Sequence, residues 1–162
     1  MGGGTWVWVT AGLATITDPL LMGAGRNGIA YAATSLTLAN PSTLHRRSGG
    51  TWSKVPLPAD RPADNIDDIS VDSSGELWVA FSSFNFYFGT GVYSTTNNGV
   101  TWTKHGLDSI TVNLNSQYLG TYGLVSYGDT TYVLTVGRGA YALTRSSGTT
   151  AVEEDITTPR SF

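Results

Sequence analysis

The dipeptide Thr-Trp occurs at Thr5-Trp6, Thr51-Trp52 and Thr101-Trp102, so its spacings are 46 (52 minus 6) and 50 (102 minus 52) residues. No other feature restricts the fold as much. A repeated unit of that length, with no helical periodicity inside it, has to be assembled from several short strands. One further step of the mean, 48, reaches residue 150, where Arg145-Ser146-Ser147-Gly148-Thr149-Thr150 parallels Arg47-Ser48-Gly49-Gly50-Thr51 without its Trp. The 20 Gly and 6 Pro follow no collagen-like period and punctuate the strands instead.

Alternation and turn residues place the strands. The first unit reads Trp6 to Val9, Pro19 to Gly23, Ile29 to Leu36, Thr43 to Arg46 and Thr51 to Leu57. The second reads Ile66 to Val71, Leu77 to Phe81 and Gly91 to Ser94, closed by a hairpin, and the third Tyr122 to Tyr127, Thr131 to Val136 and Ala140 to Thr144. Four strands in each unit of 40 to 50 residues are the signature of a propeller blade. The expected fold is therefore all-β: a β-propeller of four-stranded antiparallel blades, three blades per chain over residues 1–148, with a polar linker or tail at 149–162. The third unit lacks its outermost strand, and the chain opens with such a piece. Trp6 to Val9 is expected to complete the last blade beside Ala140 to Thr144. Rings use roughly four to eight blades, so three units imply either a homodimer closing a six-bladed ring or a piece of a longer protein.

The hairpin of the second unit carries the most specific motif. Tyr93-Ser94-Thr95-Thr96-Asn97-Asn98-Gly99-Val100-Thr101-Trp102 contains Thr-x-Asn-x-Gly-x-Thr-Trp. Asn98-Gly99 supplies two positions of positive φ, and Asn97 can fold its side chain onto the amides of the turn. Thr101 and Trp102 are expected to start the next strand, with the indole packed on the neighbouring blade. The motif resembles the Asp-box (BNR repeat) of sialidase-like β-propellers, with Asn97 where that family usually has Asp. The resemblance implies a structural box formed by Thr95, Asn97, Gly99, Thr101 and Trp102. It does not carry the sialidase active site, because the seven arginines show no Arg-Ile-Pro-like motif and no recognisable order.

Composition excludes several classes of function. A formal charge of −3 leaves no surface able to neutralise a run of phosphates, which argues against nucleic acid. No apolar run or basic amphipathic face points to a membrane. The absence of Cys removes disulfide and thiolate chemistry. The start Met-Gly-Gly-Gly-Thr-Trp lacks the charged and apolar regions of a signal peptide. Only 13% of residues are charged, so Ser, Thr, Asn and Gly bear the polar load, as on exported β proteins. The segment from Ala151 to Phe162 resembles the linker before the sorting domain of proteins exported by the type IX route. Extracellular or cell-surface location is the resulting expectation.

Candidate chemistry is sparse. Gly23-Ala24-Gly25-Arg26-Asn27-Gly28 matches a dinucleotide fingerprint, but a strand follows it and no acid lies between Asp18 and Asp60, so a hairpin turn is expected and no cofactor. His45 and His105 lack companions at metal-ligand spacing and read as solvated turn residues, so no metal is expected. Acids gather from Asp60 to Asp72, with Asp67 and Asp68 as candidate ligand-binding residues near the mouth of the ring and the rest as a solvated connection. As a glycoside hydrolase, similar to the xyloglucanases, the chain would use a carboxylate pair drawn from Asp67, Asp68 and Asp129.

Phe81-Ser82-Ser83-Phe84-Asn85-Phe86-Tyr87-Phe88-Gly89-Thr90-Gly91 departs from the repeat. The rings of Phe84, Phe86, Tyr87 and Phe88 offer broad apolar faces at low entropic cost, suited to a sugar ring or a partner's groove. The expected function is a non-catalytic propeller module binding a glycan or protein ligand. A hydrolase and an excised or engineered structural fragment are the alternatives.

Overall fold

The computed structural model describes residues 5, 19–25, 28–34, 41–61, 65–82, 91–105, 121–135 and 139–144. Among them the chain is all-β, with eleven strands: β1 (Pro19–Ala24), β2 (Ala30–Thr34), β3 (Leu44–Ser48), β4 (Thr51–Val55), β5 (Asn65–Val71), β6 (Leu77–Ser82), β7 (Gly91–Thr95), β8 (Thr103–His105), β9 (Thr121–Tyr127), β10 (Thr130–Thr135) and β11 (Gly139–Thr144). They form three antiparallel sheets taken in chain order, β1-β2-β3-β4, β5-β6-β7-β8 and β9-β10-β11. Each expected strand from Pro19 onward is present within two residues at either end. The expected strand from Trp6 to Val9, and hence its pairing with β11, lies outside the described residues.

The second sheet is covered on both faces, and its sequence shows why. β6 is a continuous apolar run, Leu77-Trp78-Val79-Ala80-Phe81, and every one of these residues is buried. Leu77, Val79 and Phe81 join Ile66, Ile69 and Tyr93 against Tyr31, Ala33, Leu44 and Val55 of the first sheet. Trp78, Ala80 and Val92 face the other way, onto Leu124 and Val133 of the third sheet, with Leu143 alongside. The second sheet thus turns a rear face to its predecessor in the chain and a forward face to its successor, the first sheet meeting it by a forward face and the third by a rear face.

Strict alternation along β5 would send Ile66 to the face opposite Ile69. The ladder with β6 instead shifts between Ile66 and Asp68, leaving Asp67 as an extra residue. That bulge puts both isoleucines into one core and turns Asp68 and Ser70 forward. β1, β5 and β9 are the inner strands of their sheets and lie side by side. A Cβ on Gly23 of β1 would lie 3.5 Å from Ile69 Cγ1, so the first seam is apolar and close. The second is polar: Leu124 N donates to Asp68 Oδ2 at 2.7 Å and Ser126 N donates to Ser70 Oγ at 3.0 Å. Two side chains two residues apart thereby satisfy two edge amides two residues apart.

Candidate functional site

At one end of the sheets lie the hairpin turns. After β7 the chain makes the expected tight turn, with Asn98 at φ 58° and Gly99 at φ 82°. Asn97 Oδ1 accepts from Thr101 N at 2.9 Å and from Thr95 Oγ1 at 3.0 Å, its Nδ2 donates to Thr101 Oγ1 at 2.7 Å, and Thr95 Oγ1 accepts from Gly99 N at 3.0 Å. These bonds draw Thr101 out of the ladder, so β8 starts at Thr103 and not, as expected, at Thr101. Trp102 turns its indole to the first sheet and donates from Nε1 to Pro56 O at 3.1 Å. Tyr31 Oη donates to Asn98 Oδ1 at 3.4 Å. The motif is both a turn and a clamp between two sheets.

A second side-chain-centred turn, this one built on a carboxylate, joins β5 to β6. Asp72 Oδ1 accepts from Ser74 N at 2.9 Å, Ser74 Oγ at 2.6 Å and Glu76 N at 3.0 Å, while Oδ2 accepts from Trp78 Nε1 at 3.2 Å. Asp72 is buried. The sequence suggested only a Ser-Ser-Gly turn within a solvated acidic connection. The signal available was an Asp four residues before a Glu and six before a Trp across a Gly. At the same end Gly25 N donates to Ile29 O at 2.8 Å and β2 follows, which makes the glycine-rich stretch part of a hairpin, with residues 26–27 outside the described set.

The opposite end is where β5 begins, β6 ends and β7 begins. Asn65 pairs with Ser82 and Phe81 with Gly91, so the two residues that tether the aromatic stretch and the two candidate carboxylates share one end of one sheet. Phe84, Phe86, Tyr87 and Phe88 themselves lie outside the described residues. Asp67 Oδ1 accepts from Asn65 Nδ2 at 2.8 Å. Asp68 is committed to backbone, its Oδ1 taking Ile69 N at 2.8 Å and its Oδ2 taking Leu124 N. Close by, Tyr93 Oη donates to Asp60 Oδ2 at 2.6 Å and accepts from Arg61 Nε at 3.1 Å. Burial, more than either neighbour, pushes the Tyr93 phenol above its ordinary pKa. The cluster can hydrogen-bond a polar ligand at its rim.

The pairing of Asp67 with Asp129 considered from sequence is not assembled. Asp129 accepts from Ser73 Oγ at 3.3 Å at the turn end, whereas Asp67 lies at the other end of β5. Five or six residues of strand separate these ends by roughly 16–20 Å, against the ~5–9.5 Å that glycosidase carboxylate pairs span. The histidines also depart from expectation. His105 stacks on Trp78 with centroids 4.6 Å apart and its Nε2 is 2.8 Å from Ser94 Oγ, because β8 carries it over the forward face. Ser94 is buried between sheets, so no acyl substrate reaches that pair. His45 sits within β3 beside Thr43 Oγ1, and burial, helped by Lys54, lowers its pKa. Among the described residues no three His, Asp or Glu side chains gather as a metal set, and no helix is long and apolar enough to cross a membrane.

No protein-family model matches the chain. No curated protein matches it in sequence. Solved structures do match. YCF48 bound to the D1 peptide superimposes with a TM-score of 0.55 at 18% identity, over 77% of this chain and 36% of that one. The GH74 xyloglucanase of Xanthomonas campestris superimposes with a TM-score of 0.55 at 17% identity, over 76% of this chain and 20% of that one. The chain therefore spans little more than a third of the first neighbour and a fifth of the second. At such identities the likeness speaks for fold alone, and the fold is that of β-propeller blades.

Proposed function

We propose that this chain is a non-catalytic, ligand-binding part of a β-propeller, acting at the cell surface or outside the cell. In this reading residues 1–148 supply three blades, with Trp6 to Val9 completing the last of them. Residues 149–162 are a linker, Thr95 to Trp102 is an Asp-box, and the ring is shared by two copies. The observation that carries the binding role is that Ser82 and Gly91, which bound the aromatic stretch in sequence, share with Asn65, Asp67 and Arg61 the end of the sheets away from the turn clamps. The stretch supplies rings and the neighbouring strand starts supply polar groups, the combination that suits a glycan or an extended peptide. One structural neighbour was solved with a peptide and the other is a xyloglucanase, so both ligand classes occur on this fold. A glycan array and a peptide array on the purified chain test the reading. A hit is expected that Phe86→Ala or Tyr87→Ala weakens at least tenfold. Silence on both arrays, with the chain folded by circular dichroism, leaves a structural role only.

The xyloglucanase neighbour favours hydrolysis as a second reading. Turnover of xyloglucan that Asp67→Asn abolishes would establish it in place of the first.

A further inference from the structure

β2, β6 and β10 repeat one rule on their forward faces: an aromatic residue and, two positions on, an aliphatic one. The pairs are Tyr31 and Ala33, Trp78 and Ala80, Tyr132 and Leu134. The first two lie under the next sheet, with Tyr31 4% and Trp78 5% exposed. The third is open, with Tyr132 at 41% and Leu134 at 43%, beside Val125 at 55% and Tyr127 at 82%. The inner strand follows suit, because the register puts Gly123 and Val125 where β5 carries Asp68 and Ser70. The forward face of the third sheet is built like the two covered ones and lacks only the polar hooks. A patch of this kind on a soluble chain marks an interface.

We propose that this face seats the rear face of the first sheet of a second copy, with Tyr132 laid against Arg47. The contact rests on the reading that two copies share one ring. Trp78, the counterpart of Tyr132, shares a core cluster with Val133, and Leu143 packs against that cluster. Val133 pairs with Tyr141 and Thr131 with Leu143, as Ala32 pairs with His45 and Ala30 with Arg47. Ala32 and Arg47 thus hold in the first sheet the places that Val133 and Leu143 hold in the third. Volumes compensate across the junction: Trp78 and Ala80 share a core with Val133 of the third sheet, and the bulkier Tyr132 and Leu134 face the smaller Ala30.

Polar chemistry points the same way. Arg47 and His45 stand part-exposed on the rear face of the first sheet. A phenol offers an acceptor oxygen and a ring face to a guanidinium. Ala32 and Trp52, on the same rear face, are already buried in the chain, so the copy meets Ala30, His45, Arg47 and the exposed Lys54. Three strands of six residues present roughly 300 Å² by strand spacing and rise. A dimer through one such face would bury only about 600 Å² in total, the size of a packing accident, whereas a ring that uses the contact twice reaches about 1,200 Å².

The chain has no cysteine, which makes cross-linking specific. The double variant Tyr132→Cys with Arg47→Cys, treated with a bis-maleimide of about 8–10 Å reach to match the spacing of packed sheets, is expected to give a covalent dimer on a denaturing gel, while Tyr132→Cys alone stays monomeric on it. Light scattering of the unaltered chain is expected at twice the monomer mass, and of Leu134→Glu at the monomer mass with unchanged circular dichroism. A dimer that the double variant fails to trap, or that Tyr132→Cys alone traps, overturns this contact and leaves the shared ring standing. A monomer at every concentration overturns both.

Discussion

Replacing Gly99 by Ala separates the two duties of the turn after β7. Gly99 has φ 82° and Gly75, in the turn between β5 and β6, has φ 89°, so an alanine at either position meets the same backbone penalty of about 1–2 kcal/mol. Their surroundings differ. A Cβ at Gly75 has no neighbour within 4 Å, whereas at Gly99 it falls 2.6 Å from Pro56 O and 2.7 Å from Val55 Cγ1. Pro56 O belongs to backbone and is also the acceptor of the Trp102 indole, so it cannot retreat without lengthening that bond. Overpacking adds about 1–3 kcal/mol and the weakened hydrogen bond about 1 kcal/mol. Gly99→Ala is therefore expected to lose about 3–6 kcal/mol and Gly75→Ala about 1–2 kcal/mol, read from urea unfolding by tryptophan fluorescence. Trp102→Phe in the Gly99→Ala background should cost less than in the parent chain, because the bond it removes is already strained. Equal losses for the two glycine variants would refute the clamp and leave Gly99 as an ordinary turn residue.

Two further outcomes follow from the seams and the histidines. Asp68→Ala strands the amides of Ile69 and Leu124 and should cost about 2–4 kcal/mol in the same assay; a variant as stable as the parent would free Asp68 for a ligand. Folding holds His45 neutral to a lower pH than the unfolded chain does, so the unfolded chain takes up the extra proton first as pH falls through about 6.5. Stability should drop between pH 7 and pH 5, and His45→Gln should drop less; parallel profiles for the two proteins would refute the assignment.

Much of the fold was legible because its signals are local. Asn98-Gly99 announces positive φ by chemistry alone, and the continuous apolar run Leu77 to Phe81 announces a strand covered on both faces. Even the bulge in β5 leaves a trace, since Ile66 and Ile69 are apolar at an odd separation. The candidate site was far less legible. Asp67, Asp68 and Asp72 look alike in sequence, yet one bonds a neighbouring Asn, one caps an amide 56 residues away and one organises a turn. Nothing local distinguishes a carboxylate aimed at a ligand from one aimed at a distant strand edge. His105 misled for a similar reason, because its partner Trp78 is brought beside it only by sheet pairing.

The extra residue in β5 makes that strand sensitive to its length more than to its composition. Ile66 enters one core while Asp68 and Ser70 reach the edge of β9 only because two residues, not one, lie between Ile66 and Ile69. Removing any one of Ile66, Asp67 or Asp68 would restore a regular pleat and force a choice between the oily contact with the first sheet and the amide hooks on the third. A substitution inside this tripeptide can be absorbed where the side chain permits, but a deletion or insertion changes which neighbour the strand belongs to.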